Sequence, residues 1–415
     1  MDDTKQFKKN FLWNILGTGF NAFNSLFFMI TVTRLNGLNH AGIFTIAYST
    51  ACIIYVIGIY AGRIYQVTEL DKKIVNKDYI VNRLITVVLM NILVVIFALI
   101  RGYDSYKILI FFLLTLYKSM EAFSEVIYGI LQKNEKLEFV GKSLLMKSLL
   151  SLIVFIIVDI ITKNMAISIA TIIIVWILVL VCFDFRKARE YLDWSEQWKL
   201  ENVLKIFKNG FTTFAIAFLG LYIINAPKYS IDSYLPEDVQ TIFGIIVMPA
   251  TVIGLVAQFL IHPFLNQILK FYEERDLKKL NQILLKLIGI ILGFGIVAAI
   301  AAYLLGTQVL GLVYGLDLSS YKIGLLIIII ASTLYTIGTV YSSVLTTVRE
   351  TFSQFVIYII IAIFALIISN VLTKIWNLNG AIFAYLAIMA FQFLSYTIYT
   401  NVKLKGIFKR EKVNE

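Results

Sequence analysis

The chain is poor in charge, and poorer still in the residues that build most catalytic sites. Only 15% of its 415 residues are charged, 4 are proline, 2 are cysteine and 2 are histidine. Soluble domains carry about 25% charge, so a soluble protein is excluded. The cysteines, Cys52 and Cys182, each lie in or at the edge of an apolar run. They offer neither a disulfide framework nor zinc spacing. No metal-ligand cluster, Gly-rich nucleotide fingerprint or Ser/His/Asp set on a soluble scaffold is present, so neither a cofactor nor covalent catalysis is expected. Gly141-Lys142-Ser143 looks like the end of a phosphate-binding loop. The first glycine of that motif would fall at Lys136, and no strand precedes it.

What the chain does have is hydrophobicity, at 59% of its residues. Twelve segments are long enough to cross a hydrocarbon core of about 30 Å, which takes roughly 20 residues. They lie near 11–33, 41–62, 79–100, 108–131, 144–162, 165–183, 207–226, 239–262, 284–305, 322–346, 352–373 and 379–400. The expected fold is therefore an all-α integral membrane protein. The N-terminus carries Lys5, Lys8 and Lys9 before the first apolar run. No small-x-small cleavage site closes that run, so it reads as a retained span.

The net charge of +11 would suggest nucleic acid in a soluble protein. Here the excess sits between apolar segments, where anionic headgroups and membrane orientation account for it. With the N-terminus inside, 29 of the 37 basic residues fall in cytoplasmic segments, 7 in outer loops, and Lys118 within a span. This asymmetry predicts both termini on the cytoplasmic side.

The longest polar stretch, Asp184 to Lys208, separates six spans from six. The expected division is a bundle at 1–190, a cytoplasmic linker at 191–206 and a second bundle at 207–415. Transporters are often built from two such halves. Trp194 and Trp198 sit four apart in the linker beside lysines. They suit either an amphipathic helix on the inner leaflet or a plain linker with two interface anchors.

Ionised residues inside the apolar runs are the sharpest signal. Lys118, Glu121 and Glu125 fall within about 60° on one helix face, and Tyr128 and Gln132 extend that stripe. A charge at the bilayer centre costs roughly 2.5–3.5 kcal/mol, so such residues face a bundle interior or a wet cavity. A neutralised pair locking two helices is the structural alternative. Asn14, Gly17, Asn21, Asn24 and Ser25 share an arc of about 100° in the first span. They can line a cavity or pack helices together.

Span seven ends in Asn225-Ala226-Pro227-Lys228-Tyr229, where proline frees backbone carbonyls that only protein or water can satisfy. Lys228 faces a substrate or snorkels to headgroups. Span eight carries Pro249, Thr251, Gly254, Gln258 and His262, and the histidine either titrates or sits in the interface. Span ten is rich in Ser and Thr from Ser332 to Ser343, which suits a packed or water-lined helix. The aromatic content, 14% with 23 tyrosines, fits membrane-interface belts.

Several short runs point to a family. Ala41-Gly42-Ile43-Phe44 with Ala47-Tyr48 opens span two, and Arg63-Ile64-Tyr65-Gln66-Val67 with Asp71 closes it. Tyr79-Ile80 and Arg83 follow, then Glu121, Gly129, Leu131, Gln132 and Gly141. The chain resembles the polysaccharide-export branch of the multidrug/oligosaccharidyl-lipid/polysaccharide (MOP) flippase superfamily, in particular the bacterial flippases for lipid-linked oligosaccharides. The extra C-terminal helices of the lipid II flippases are not expected in 415 residues.

The resemblance implies a V-shaped bundle of the MATE type that alternates between inward-open and outward-open states in a bacterial plasma membrane. It implies a substrate of the undecaprenyl-pyrophosphate type carrying a few sugars, with membrane lipids and other polysaccharide-assembly proteins as partners. It also implies cavity cations that hold phosphate, a role open to Arg34, Arg63, Lys118 and Lys228. Of these, Arg63 alone has a matching local motif, and it can also be a positive-inside anchor. Two rivals stand beside this expectation. One is a drug or cation exporter on the same scaffold, with Glu121 and Glu125 unpaired and cation-binding. The other is a membrane polysaccharide polymerase or ligase, disfavoured by outer loops of only about 5–20 residues where such chemistry needs a large one.

Overall fold

A computed structural model describes residues 2–60, 62–69, 73–193 and 195–411. The side chains of 2–5, 7, 255–259, 262, 405 and 407–411 lie outside that description, and Gln258 and His262 are among them. Asp71 and Trp194 lie outside the described residues altogether.

Every regular element among the described residues is helical. Among the described residues, nine stretches are long and apolar enough to cross a membrane. The first helix, α1 (Asp2–Ile59), has 58 residues and would be about 87 Å long if straight. It breaks at Gly37, whose φ of 87° is a conformation that glycine adopts at no steric cost. The final helix, Thr351–Glu411, breaks at Asn377 with φ 52°. There a Cβ on Gly380 would fall 1.9 Å from the Leu372 carbonyl oxygen, so glycine permits the close reversal.

Helix α4 (Ser105–Lys133) carries three charges mid-span and is not among the nine. Counting the two broken stretches twice and adding α4 gives twelve spans among the described residues. Six precede the segment 192–199 and six follow it. The chain is a multi-pass, all-α membrane protein.

By internal contacts it divides into two compact units, Met1–Phe218 and Leu219–Glu415. In the first, α1 packs along α4 and along α5 (Leu137–Thr162), and α3 (Asn76–Ile100) packs against α1 and α4. The α1/α5 seam is set by glycine. A Cβ on Gly17 would lie 2.2 Å from the Gly141 oxygen, and one on Gly141 would lie 2.1 Å from the Trp13 oxygen. Small residues let two backbones approach where lipid offers no hydrophobic drive to associate. Local caps fix the helix starts: Asp104 accepts from the amides of Tyr106 and Lys107 before α4.

The polar stretch between the halves is shorter than its composition suggests. The sixth span begins with α6 (Met165–Val179) and continues through a π-turn at Leu180–Phe185 as far as Tyr191. The segment 195–199 is not helical, and Trp198 within it is exposed, as an interface anchor would be. Asp78, fully buried at the start of α3, ties this segment down. It accepts from the Lys199 amide at 2.8 Å, from Asn202 Nδ2 at 2.7 Å and from the Val75 amide at 2.9 Å.

The helix Leu200–Tyr234 continues through Pro227 instead of ending there. Proline removes a single N–H, a loss that a helix packed in protein tolerates where serine or threonine hydroxyls lie close by. Ser230 Oγ donates to the Pro227 oxygen at 2.8 Å and lies 2.8 Å from Thr373 Oγ1. The hydroxyls of span ten are largely spent on their own helix: Ser332 and Thr333 both donate to the Ile329 oxygen at 2.9 Å.

Candidate functional site: the charged face of the fourth span

Helix α4 carries its ionised side chains into a bundle of tyrosines and arginines. Lys118 Nζ lies 2.6 Å from Glu121 Oε2, one turn along the same helix. The two side chains remain 10% and 13% exposed. The pair itself forms within one helix. The ammonium also lies 5.1 Å from the ring centre of Tyr48, 5.5 Å from Tyr55 and 5.4 Å from Tyr117, within range of cation–π attraction. Tyr48 and Tyr55 come from the second span, so the cluster joins α4 to α1.

A second pair follows one turn on. Arg63 Nε lies 3.5 Å from Glu125 Oε2, with side chains 24% and 20% exposed. Arg63 belongs to the short helix α2 (Gly62–Thr68). Its Nη1 is buried without an acceptor. Gln66 pins α2 in place: it is 1% exposed, and its Nε2 donates to the Val126 oxygen at 3.2 Å. A Cβ on Gly129 would fall 2.2 Å from Gln66 Oε1, so glycine there makes room for the amide. From α3, Arg83 donates through Nη1 to the Gly58 oxygen, which also takes the Thr86 hydroxyl at 2.7 Å. Arg83 interacts electrostatically with Glu125 and Tyr55. The motif residues Arg63, Gln66, Arg83, Glu121 and Gly129 thus converge on one face.

The neighbouring face of α4 holds a cluster that the sequence pattern misassigned. Lys147 and Asp184, counted with the cytoplasmic segments, form a fully buried ion pair at 2.5 Å. Lys147 Nζ also donates to Ser124 Oγ at 2.7 Å and Tyr128 Oη at 3.0 Å, and Tyr128 meets Ser143 Oγ at 2.8 Å. Tyr128 is therefore not part of the Lys118 stripe. Its partners are on α5, although at 100° per residue it stands only about 20° round from Glu121. A signal was present: Lys147 falls inside the span placed at 144–162. Arg83, also counted with a connector, is 4% exposed inside α3.

The other expected site residues lie elsewhere. Asn24 is 2% exposed and donates to the Ser148 oxygen at 3.3 Å, and Asn21 Oδ1 accepts from Ser148 Oγ at 3.3 Å. Both amides join the α1/α5 seam, beside the Gly17–Gly141 contact. Arg34 is exposed, three residues before the Gly37 break. Lys228 is half-buried in the second unit, next to Pro227. Among the described residues, no group of three or more His, Cys, Asp or Glu side chains is arranged to hold a metal ion.

No protein-family model matches the chain. The capsular polysaccharide biosynthesis protein CapF of Staphylococcus aureus is 25% identical over 327 residues, 77% of this chain and 80% of that protein. Among solved structures, the inward-facing conformation of a multidrug resistance MATE family transporter of the MOP superfamily superposes with a TM-score of 0.71. The identity is 14%, over 97% of this chain and 98% of the other. The lipid II flippase MurJ in its inward closed conformation gives a TM-score of 0.70 at 16% identity, over 94% of this chain and 87% of the other. The chain shares the fold of these MATE and MurJ structures.

Proposed function

We propose that the chain is a flippase for polyprenyl-(pyro)phosphate-linked oligosaccharides in a bacterial plasma membrane. It would work by alternating access, with both termini cytoplasmic, and serve cell-surface polysaccharide assembly. The halves at 1–190 and 207–415, joined by the linker at 191–206, would move against each other in that cycle. The observation that carries this reading is the partly exposed, ionised face of α4. Lys118 and Arg63 keep side-chain exposure within membrane spans, where charge is otherwise costly. A lipid tail can stay in the bilayer, but its phosphates and sugars cannot cross hydrocarbon unaided. Cations that meet phosphate by charge-assisted hydrogen bonds lower that barrier without making or breaking a covalent bond. The relative in capsular polysaccharide biosynthesis supports the same class of substrate, and the fold is one that the lipid II flippase MurJ also has.

The rival cation exporter calls for unpaired carboxylates. Glu121 is held by Lys118 and Glu125 by Arg63, which favours an anionic ligand. Deleting the gene should strand lipid-linked repeat units on the cytoplasmic leaflet and reduce surface polysaccharide. An unchanged lipid pool with altered drug susceptibility would overturn the flippase and support the exporter.

A further inference from the structure

We propose that Glu121 and Glu125 are substrate surrogates: they neutralise Lys118 and Arg63 in the empty carrier, so that it can reset without cargo. The inference rests on the flippase reading above. A carrier that grips an anionic headgroup with cations meets a difficulty after release. Its cations must pass through an occluded state with no counter-ion, and an uncompensated charge in dry protein costs several kcal/mol. Such a carrier can exchange one cargo for another but cannot return empty.

The geometry supplies the missing counter-ions. Each carboxylate sits on α4, so both are present at fixed positions whether or not a ligand is bound. Glu121 reaches Lys118 at 2.6 Å along one rigid helix, so the pair forms with little loss of chain freedom. Glu125 meets Arg63 at Nε, at 3.5 Å, and the buried Nη1 is left without an acceptor. That contact is loose and one-sided, unlike the two-pronged grip a guanidinium makes with a well-matched oxyanion. Arg63–Glu125 keeps 20–24% side-chain exposure and Lys118–Glu121 10–13%, against none for Lys147–Asp184, so the first two are the pairs open to exchange of partner. Lys147–Asp184, fully buried and with all three ammonium donors taken, cannot be displaced in this way. The groups facing the two pairs are consistent with the role. Tyr48, Tyr55 and Tyr117 surround Lys118 with ring faces, which stabilise a cation without competing as charged partners. Arg83, from α3, gives its Nη1 to the Gly58 carbonyl, keeps a buried Nε without an acceptor and adds positive charge near Glu125.

The test separates net movement from exchange. Full-length protein is reconstituted into vesicles with a fluorescently labelled polyprenyl diphosphate as probe. Net flipping is read by quenching the outer leaflet, and exchange is read with unlabelled polyprenyl diphosphate preloaded on the opposite leaflet. Glu121→Gln and Glu125→Gln should lose net flipping by about tenfold or more, since each leaves a partly exposed cation unpaired. Exchange should remain near wild type, which also shows that the variants are folded. Glu121→Asp, which keeps the charge, should retain most net flipping. Equal loss of both modes, or of neither, overturns the surrogate role while leaving the flippase reading intact. A wild-type protein that moves no probe in either mode overturns that reading, and the inference with it.

Discussion

Helix α4 serves two ion pairs that a sequence cannot tell apart. On one face, Lys147–Asp184 closes at 2.5 Å with both side chains fully buried. On the next, Lys118–Glu121 closes at 2.6 Å with both partly open. Their lengths barely differ; their access to a ligand does. The sealed pair has its ammonium donors taken by Asp184, Ser124 and Tyr128 and acts as a fastener among α4, α5 and the sixth span. The open pair has rings for walls and can trade its partner. An ionised residue in a membrane span is a functional candidate by default, and exposure separates the candidates that can act from those that hold the bundle together.

The comparison breaks first at the sealed pair. Lys147→Met should destabilise the folded protein by about 3–5 kcal/mol, because Asp184 is left buried and alone. The double variant Lys147→Met/Asp184→Leu should regain most of that loss, as read by thermal unfolding in detergent. Failure of the double variant to recover would mean the pair does more than fasten. The open face should behave in the opposite way. Lys118→Ala should lower flipping by roughly 10–100-fold, the loss expected from one hydrogen bond to a charged group, while protein level changes little. Arg63→Ala should follow the same pattern, and parallel loss of level and flipping would return these residues to a structural role. Gly141→Ala tests the seam behind both faces. A methyl 2.1 Å from the Trp13 oxygen forces α1 and α5 apart, at about 1–3 kcal/mol, and should lower stability without changing which lipid is moved. The smallest effect belongs to Asn24→Ala. Its bond to Ser148 is a helix–helix contact of the kind that averages about 0.6 kcal/mol, so flipping should stay near wild type; a large loss of flipping would put Asn24 back in a cavity.

The α4 stripe was legible because it is local. Residues 118, 121 and 125 share a helix face whatever that helix packs against. Tyr128 was misread for the same reason: the period sets it about 20° from Glu121 on the same stripe, and the period does not name the neighbour it meets. Asn21 and Asn24 show the same limit, since a polar arc suits a cavity and a seam equally until Ser148 is found opposite. Pro227 was read as a helix end on a local rule, and a hydroxyl from another helix, Thr373, is part of what surrounds it.

Hydropathy by itself determined the class, the number of spans and the membrane location. Every span must satisfy its own backbone within the bilayer, and that requirement is written residue by residue along the chain. Only the tertiary structure decided which charges meet. Lys147 and Asp184 are 37 positions apart, and their pairing follows from how helices pack, set by contacts such as Gly17 on Gly141. Packing is a property of surfaces brought together, and no single segment contains it.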